Sequence, residues 1–183
     1  MTKQKKYSPD CNIFLIGFMG SGKSTISEYF CTAYGMEKVE MDRLIAEREG
    51  MSISSIFEVH GEEYFRNLET ALLKELQTKQ NVVVSCGGGT PMREVNVAEM
   101  KKNGKVVLLT ASPQTIYERV KDSHDRPLLE NHKDVSYIAQ LMEKRREKYE
   151  AASDIIVHTD GKNRMQICEE IVAKLSNTKE ASV

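Results

Sequence analysis

"NIFLIGFMGSGKSTISEYF", residues 12–30, decides how the rest of the chain is read. An apolar run of the β type breaks into glycines, then into Lys23-Ser24-Thr25, and then into a helical pattern. Residues 17–24 fit G-x-x-x-x-G-K-[ST] in full, with a strand before and a helix after, which is the context this motif requires. Gly17, Gly20 and Gly22 let the backbone turn tightly and aim N–H groups inward, where the helix start adds partial positive charge. Gly20, Ser21, Gly22, Lys23, Ser24 and Thr25 would then surround a nucleotide's phosphates. Lys23 would reach the β- and γ-phosphates, and the Ser24 hydroxyl would ligate Mg²⁺. The rival, a glycine-rich turn that arose by chance, has to explain motif and context together. Such a cradle specifies a nucleotide, not a reaction.

Outward from the cradle, short β-type runs alternate with longer helical patterns. Residues 12–16, 38–41, 81–85, 105–110 and 154–158 read as five strands, and their near-continuous apolar character implies cover on both faces, as in a parallel sheet. Helices are expected at about 22–34, 61–79, 112–122, 134–151 and 163–176. This alternation predicts an α/β fold: one doubly wound, five-stranded parallel sheet flanked by helices, with ligands at the carboxyl ends of the strands. Residues 42–66 insert extra helical material, and the polar stretch 121–134, "KDSHDRPLLENHKD", reads as a mobile lid loop.

Composition narrows the function classes. The 183 residues are 40% hydrophobic, enough for one well-cored domain. With 26 basic and 27 acidic residues the net charge is −1, so bulk electrostatics give no reason to expect a nucleic-acid or membrane partner. The longest apolar runs fall far short of the roughly 18 residues of a membrane helix. The basic first residues, "MTKQKKYSPD", precede no apolar signal core and read as a loose tail. Cys11, Cys31, Cys86 and Cys168 are widely spaced with no CxxC pair, so buried small hydrophobes in a reduced, cytoplasmic setting are expected.

The acceptor side is less explicit. In "VEMDRL", Glu40 and Asp42 stand two apart at a strand end, so both carboxylates would face one cleft, one near Mg²⁺ and one accepting a hydrogen bond from an attacking hydroxyl. Equally, Asp42 would serve as the cap of a helix starting at Arg43. Arg66 and Glu69 lie three apart on one helix face, as in many weak surface ion pairs. "SCGGGTP" places three glycines directly after a strand, of value mainly where a backbone must approach a ligand closely. Arg119, Arg126 beside Pro127, and Arg145 with Tyr149 one turn later lie on segments expected to converge above the sheet. Three such arginines point to an anionic acceptor as well as an anionic donor.

Taken together, "GFMGSGKST", "EMD" followed by "EREG", "SISSIFEVHGEEYFRNLE", "SCGGGTP", "RPLL" and "RREKYEAAS" resemble the shikimate kinases over about residues 12–175. The resemblance implies a P-loop NTPase fold like that of the nucleoside monophosphate kinases, with ATP and Mg²⁺ used to phosphorylate the 3-hydroxyl of shikimate on the way to aromatic amino acids. It implies Asp42 as catalytic base and shikimate ligand, aided by Lys23 and Arg126. It implies Arg66, Gly88, Gly89 and Arg145 around the shikimate carboxylate and ring, with Glu69 orienting the arginine. It also implies the lid residue Arg126 on the ATP phosphates, Arg119 and Arg164 about the adenine, and Ser24 with Glu40 near the metal. The family usually has Asp-x-Asp where this chain has Glu40-Met41-Asp42; glutamate keeps the charge and adds one methylene. A monomer acting on ATP and shikimate is expected.

Three rival readings stand beside this one. A gluconate-type kinase also passes phosphate to an anionic hydroxy acid, and a nucleoside monophosphate kinase shares the cradle. A nucleotide-dependent switch would need no acceptor, and so no arginine clamp.

Overall fold

The computed structural model describes residues 11–121 and 134–180. At its centre lies β1 (Asn12–Ile16), every residue of which is buried. The other strands are β2 (Glu37–Glu40), β3 (Val82–Ser85), β4 (Gly104–Thr110) and β5 (Ile155–His158). They form one sheet in the order β2-β3-β1-β4-β5, and every pairing is parallel. All five expected strands are present, with ends displaced by a residue or so.

Alternation along the strands divides the apolar residues between two cores. Phe14, Ile16, Val84, Val106 and Leu108 join one cluster, to which α2 (Met41–Glu49), α3 (Ile53–Glu75), α4 (Glu94–Lys102), α5 (Pro113–Val120) and α6 (Val135–Ala152) contribute. Ile13, Leu15, Val83, Val107 and Leu109 join the other, with α1 (Lys23–Tyr34) and α7 (Arg164–Glu180). Each fully buried Leu, Ile, Val or Phe contributes about 1.5–3 kcal/mol. That is why strands covered on both sides lack the polar alternation of a half-exposed sheet.

Three local features differ from the sequence reading. First, α3 begins at Ile53, where Ser52 caps it by accepting from the Ser55 N–H, and it is kinked at Gly61 (φ 82°, ψ 168°). Residues 42–66 are therefore α2 and the first part of α3. Second, α4 has no counterpart among the expected helices. Its inward face carries Asn96 and Glu99 beside Met100, so the apolar period that announces a helix is interrupted. Third, β2 ends at Glu40 and α2 starts at once with the buried Met41. Asp42 thus sits in the first turn of α2, not on a strand two residues from Glu40. Nor is Asp42 the helix cap: Glu40 occupies that position, without a side-chain capping bond.

Candidate active site

The phosphate loop runs from the carboxyl end of β1 into α1. Gly17 (φ 143°) turns where a side chain has no room, since an added Cβ would collide with the Leu109 carbonyl oxygen and lie 2.8 Å from Ser21 Oγ. Gly22 (φ 104°) is the N-cap of α1, and no side chain caps the amides that follow. An uncapped helix start beneath a glycine loop fits an anion. Lys23 Nζ donates to the carbonyls of Gly17 (2.8 Å) and Phe18 (3.1 Å), so its ammonium is held on the loop. Ser21 is buried, and its Oγ has no hydrogen-bond partner among the described residues. Ser24 and Thr25 are exposed on the first turn of α1.

Glu40 bridges this loop to β2. It accepts from Ser24 Oγ (3.0 Å) through one oxygen and from Ser27 Oγ (3.1 Å) through the other. Lys38 Nζ lies 3.7 Å from it. A hydroxyl that donates to Glu40 keeps its lone pairs for a cation, so Ser24 with Glu40 behind it fits Mg²⁺ as inner and outer support. Among the described residues no group of three or more His, Cys, Asp or Glu side chains could hold a metal ion alone.

At the carboxyl end of β3, beside β1, the three glycines form a second loop that other side chains border one by one. A Cβ added at Gly87 would meet Asp42 Oδ1 at 2.6 Å, Glu69 Oε1 at 3.0 Å and Thr90 Oγ1 at 3.2 Å. At Gly88 it would lie 3.6 Å from Arg145 Nη1 and 3.7 Å from the Tyr149 hydroxyl oxygen. At Gly89 it would run into the Arg66 guanidinium. Asp42, Arg145 and Arg66, from three helices, therefore meet at one turn.

Behind them is a buried ion pair. Glu69 is fully buried and accepts from Arg66 Nη1 at 2.8 Å, and the Thr90 hydroxyl donates to its other oxygen. Arg66 also pairs with Glu62, and its guanidinium lies 5.4 Å from the Phe65 ring centre and 5.9 Å from that of Phe57. Burial pushes the Glu69 carboxyl above its ordinary value, Thr90 and Arg66 pull it down, and nearby Asp42 adds to the upward push. This is not the loose surface pair that the spacing alone allowed.

On α6, Arg146 pairs with Glu143 on the outer face, whereas Arg145 faces Tyr149 and the glycine loop. Tyr149 donates its hydroxyl to the Gly88 carbonyl at 2.7 Å. Burial pushes this phenol up despite the positive charges of Arg145 and Arg66, so it keeps the proton it donates. Tyr149 and Thr90 were not assigned roles from sequence, because their partners lie far away along the chain.

On the opposite side of the phosphate loop, Arg119 Nη1 donates to the Gly20 carbonyl (2.9 Å) and to Thr159 Oγ1 (3.2 Å). It ties α5, the loop and the segment after β5 together. Arg164 opens α7, exposed, with its guanidinium 5.5 Å from the ring centre of Tyr29 on α1. Arg126 and most of the expected lid, 121–134, lie outside the described residues.

A family model for shikimate kinase matches residues 19–176. The chain belongs to the shikimate kinase family. Membership makes it a kinase of the ATP-using class. The shikimate kinase of Sulfurihydrogenibium sp. is 44% identical over 164 residues, 90% of this chain and 97% of that protein. Among solved structures, shikimate kinase from Acinetobacter baumannii in complex with shikimate superposes with a TM-score of 0.86, at 28% identity, over 96% of this chain and 98% of that one. The enzyme from Aquifex aeolicus does so with a TM-score of 0.78, at 39% identity, over 92% and 98%. The β2-β3-β1-β4-β5 order is the sheet of this kinase family. No described helix is long and apolar enough to cross a membrane.

Proposed function

We propose that this chain transfers the γ-phosphoryl group of ATP to the 3-hydroxyl of shikimate, giving shikimate 3-phosphate and ADP. One observation carries the reading: Arg66 and Arg145 border the same glycine turn as Asp42, next to the strand that bears the phosphate loop. A small hydroxy acid placed there would give its carboxylate to the two guanidinium forks and its hydroxyl to Asp42.

Asp42 takes the hydroxyl proton as the alcohol oxygen forms its bond to the γ-phosphorus and the bond to the β-γ bridging oxygen breaks. The transition state is loose, so positioning and charge neutralisation do most of the work. Lys23 exchanges the Gly17 and Phe18 carbonyls for phosphate oxygens. Mg²⁺, held by Ser24 with Glu40 behind it, would neutralise charge on the β- and γ-phosphates. Arg119 and Arg164 take the adenine side, and Arg126 completes the phosphate contacts from the lid. A single domain acting as a cytoplasmic monomer belongs to the same reading.

The test is a coupled ADP-release assay with ATP, Mg²⁺ and a panel of hydroxy acids that includes shikimate and gluconate. Shikimate-dependent turnover is expected. Equal turnover without any acceptor, or a preference for gluconate, would overturn the assignment.

A further inference from the structure

Behind Arg66 and Glu69 the polar contacts continue into α4. Asn96, on α4, is completely buried. Its Nδ2 donates to the Thr90 carbonyl at 2.9 Å, and its Oδ1 lies 2.6 Å from the Thr70 hydroxyl oxygen. The Thr90 carbonyl can only accept, so the amide must point its NH₂ that way and its oxygen towards Thr70. Thr70 has one proton and two acceptors within reach, the Arg66 carbonyl at 3.0 Å and Asn96 Oδ1, and the shorter contact takes it. Thr70 is on α3, four residues after Arg66 and one after Glu69. The bonds therefore close a ring: Arg66 to Glu69, Glu69 to Thr90, Thr90 to Asn96, and Asn96 back to α3 through Thr70.

Burying so many polar groups is costly unless each is paired, and a fully paired network is correspondingly rigid. The ring fixes the turn that ends the glycine loop against the helix that carries Arg66. Thr90 is held at its hydroxyl by Glu69 and at its carbonyl by Asn96, directly after Gly89, whose Cα faces Arg66. We infer that Asn96, latched by Thr70, is a positioning residue for the acceptor pocket: it sets acceptor affinity by holding Thr90, and through Thr90 the Glu69–Arg66 pair. This rests on the acceptor reading above and extends it to a residue on α4.

The experiment compares KM for shikimate, KM for ATP and the thermal midpoint in Asn96→Ala, Thr70→Val and Thr70→Ser. Thr70→Val keeps the shape and deletes the hydroxyl, so it carries the test if Asn96→Ala fails to fold. Leaving a buried polar group unpaired corresponds to about 5-fold or more in an equilibrium. Shikimate KM should rise by about that factor in Asn96→Ala and Thr70→Val, with ATP KM unchanged and Thr70→Ser close to wild type. A purely structural role would lower the thermal midpoint and the active fraction but leave shikimate KM where it was. That result, or both KM values rising together, overturns the inference. Wild-type protein that ignores shikimate would instead end the functional reading itself.

Discussion

Alanine at Gly89 should damage acceptor binding without touching the nucleotide side. Gly89 has φ −93° and ψ −11°, open to any L residue, so the substitution brings no backbone strain and only space matters. The added methyl would fall 2.6 Å from the Arg66 guanidinium carbon, too close to persist. Arg66 cannot step aside freely: Glu69 holds Nη1 at 2.8 Å, Glu62 holds Nη2 at 3.0 Å, and Phe57 and Phe65 flank the group. Of these, the exposed Glu62 gives way most easily, so the guanidinium should swing outward and leave buried Glu69 to Thr90 and incoming water. A hydrogen bond to a charged group is worth about 1.5–3 kcal/mol, so shikimate KM should rise about 10- to 150-fold. A stability loss of about 2 kcal/mol lowers the thermal midpoint by about 4–8 °C in a domain of this size.

Gly88→Ala provides the contrast. Its methyl would make ordinary contacts with Arg145 and Tyr149 at 3.6 and 3.7 Å. The fold should therefore change by no more than about 0.5 kcal/mol. Both variants are assayed by coupled ADP release with each substrate varied in turn, and by calorimetry. Unchanged shikimate KM and thermal midpoint in Gly89→Ala would refute the coupling between Arg66 and the loop.

Two further perturbations address other parts of the site, and a third the contact of Asp160 with Ser112 and Thr115 at the start of α5. Lys23→Met should lower kcat about 10²- to 10³-fold while leaving the far-ultraviolet circular dichroism intact, as for loss of one transition-state donor; near-normal turnover would remove the cradle from catalysis. Arg145→Lys keeps the charge but loses the planar fork, so shikimate KM should rise about 10-fold or more with ATP KM unchanged, and equal KM values would take Arg145 out of the pocket. Burial alone would raise the Asp160 carboxyl, but hydrogen bonds from Thr115 and Ser112 outweigh it and hold the group below its ordinary 3.8. In the acid window the unfolded chain then binds more protons, so this stabilisation is complete above about pH 4 and fades as pH falls through the folded value. Asp160→Asn should therefore melt earlier than wild type at pH 7, with a gap that narrows towards pH 3; a gap independent of pH counts against these hydrogen bonds as its source.

The sheet and the phosphate loop were legible because their signals are local. β1, β3, β4 and β5 each carry a continuous apolar run, and the loop glycines stand at fixed spacing before Lys23. Where a helix turns a polar face inward the signal fails, as it does at α4 with Asn96 and Glu99. The Glu40-Met41-Asp42 geometry was misread because β2 passes into α2 without a connecting residue, and no pattern in three residues separates strand from first helical turn. Adjacent Arg145 and Arg146 differ only in helix phase. Ile138, Met142, Arg145, Tyr149 and Ala152 recur at steps of four and three along one seam, while Arg146 points at Glu143. The bonds from Tyr149 to Gly88 and from Thr90 to Glu69 join residues far apart in the chain, and sequence carries no mark of them.

Both glycine loops follow the same physical rule, and their placement explains why one fold can bring a donor and an acceptor together. Each begins at the carboxyl end of a parallel strand: residues 17–22 after β1, residues 87–89 after β3. β1 and β3 are direct neighbours, with Leu15 level with Ser85, and Glu40 at the end of β2 is level with Ser85 in turn. Adjacent strands lie about 4.8 Å apart, so the ends of β1, β3 and β2 span only about 10 Å. That is the scale of a triphosphate terminus, an attacking hydroxyl and the carboxylate beside it. Glycine in both loops lets ligand or side chain approach the backbone. Leu109 and Ser21 crowd Gly17, while Asp42 crowds Gly87 and Arg66 crowds Gly89. The sheet register sets the distance between the two cradles, and the helices that return to its edge supply the charges. Inserting one residue between Ser85 and Gly87 would move Arg66 and Arg145 out of step with the loop while leaving the phosphate cradle intact. ATP binding would then survive the loss of acceptor turnover.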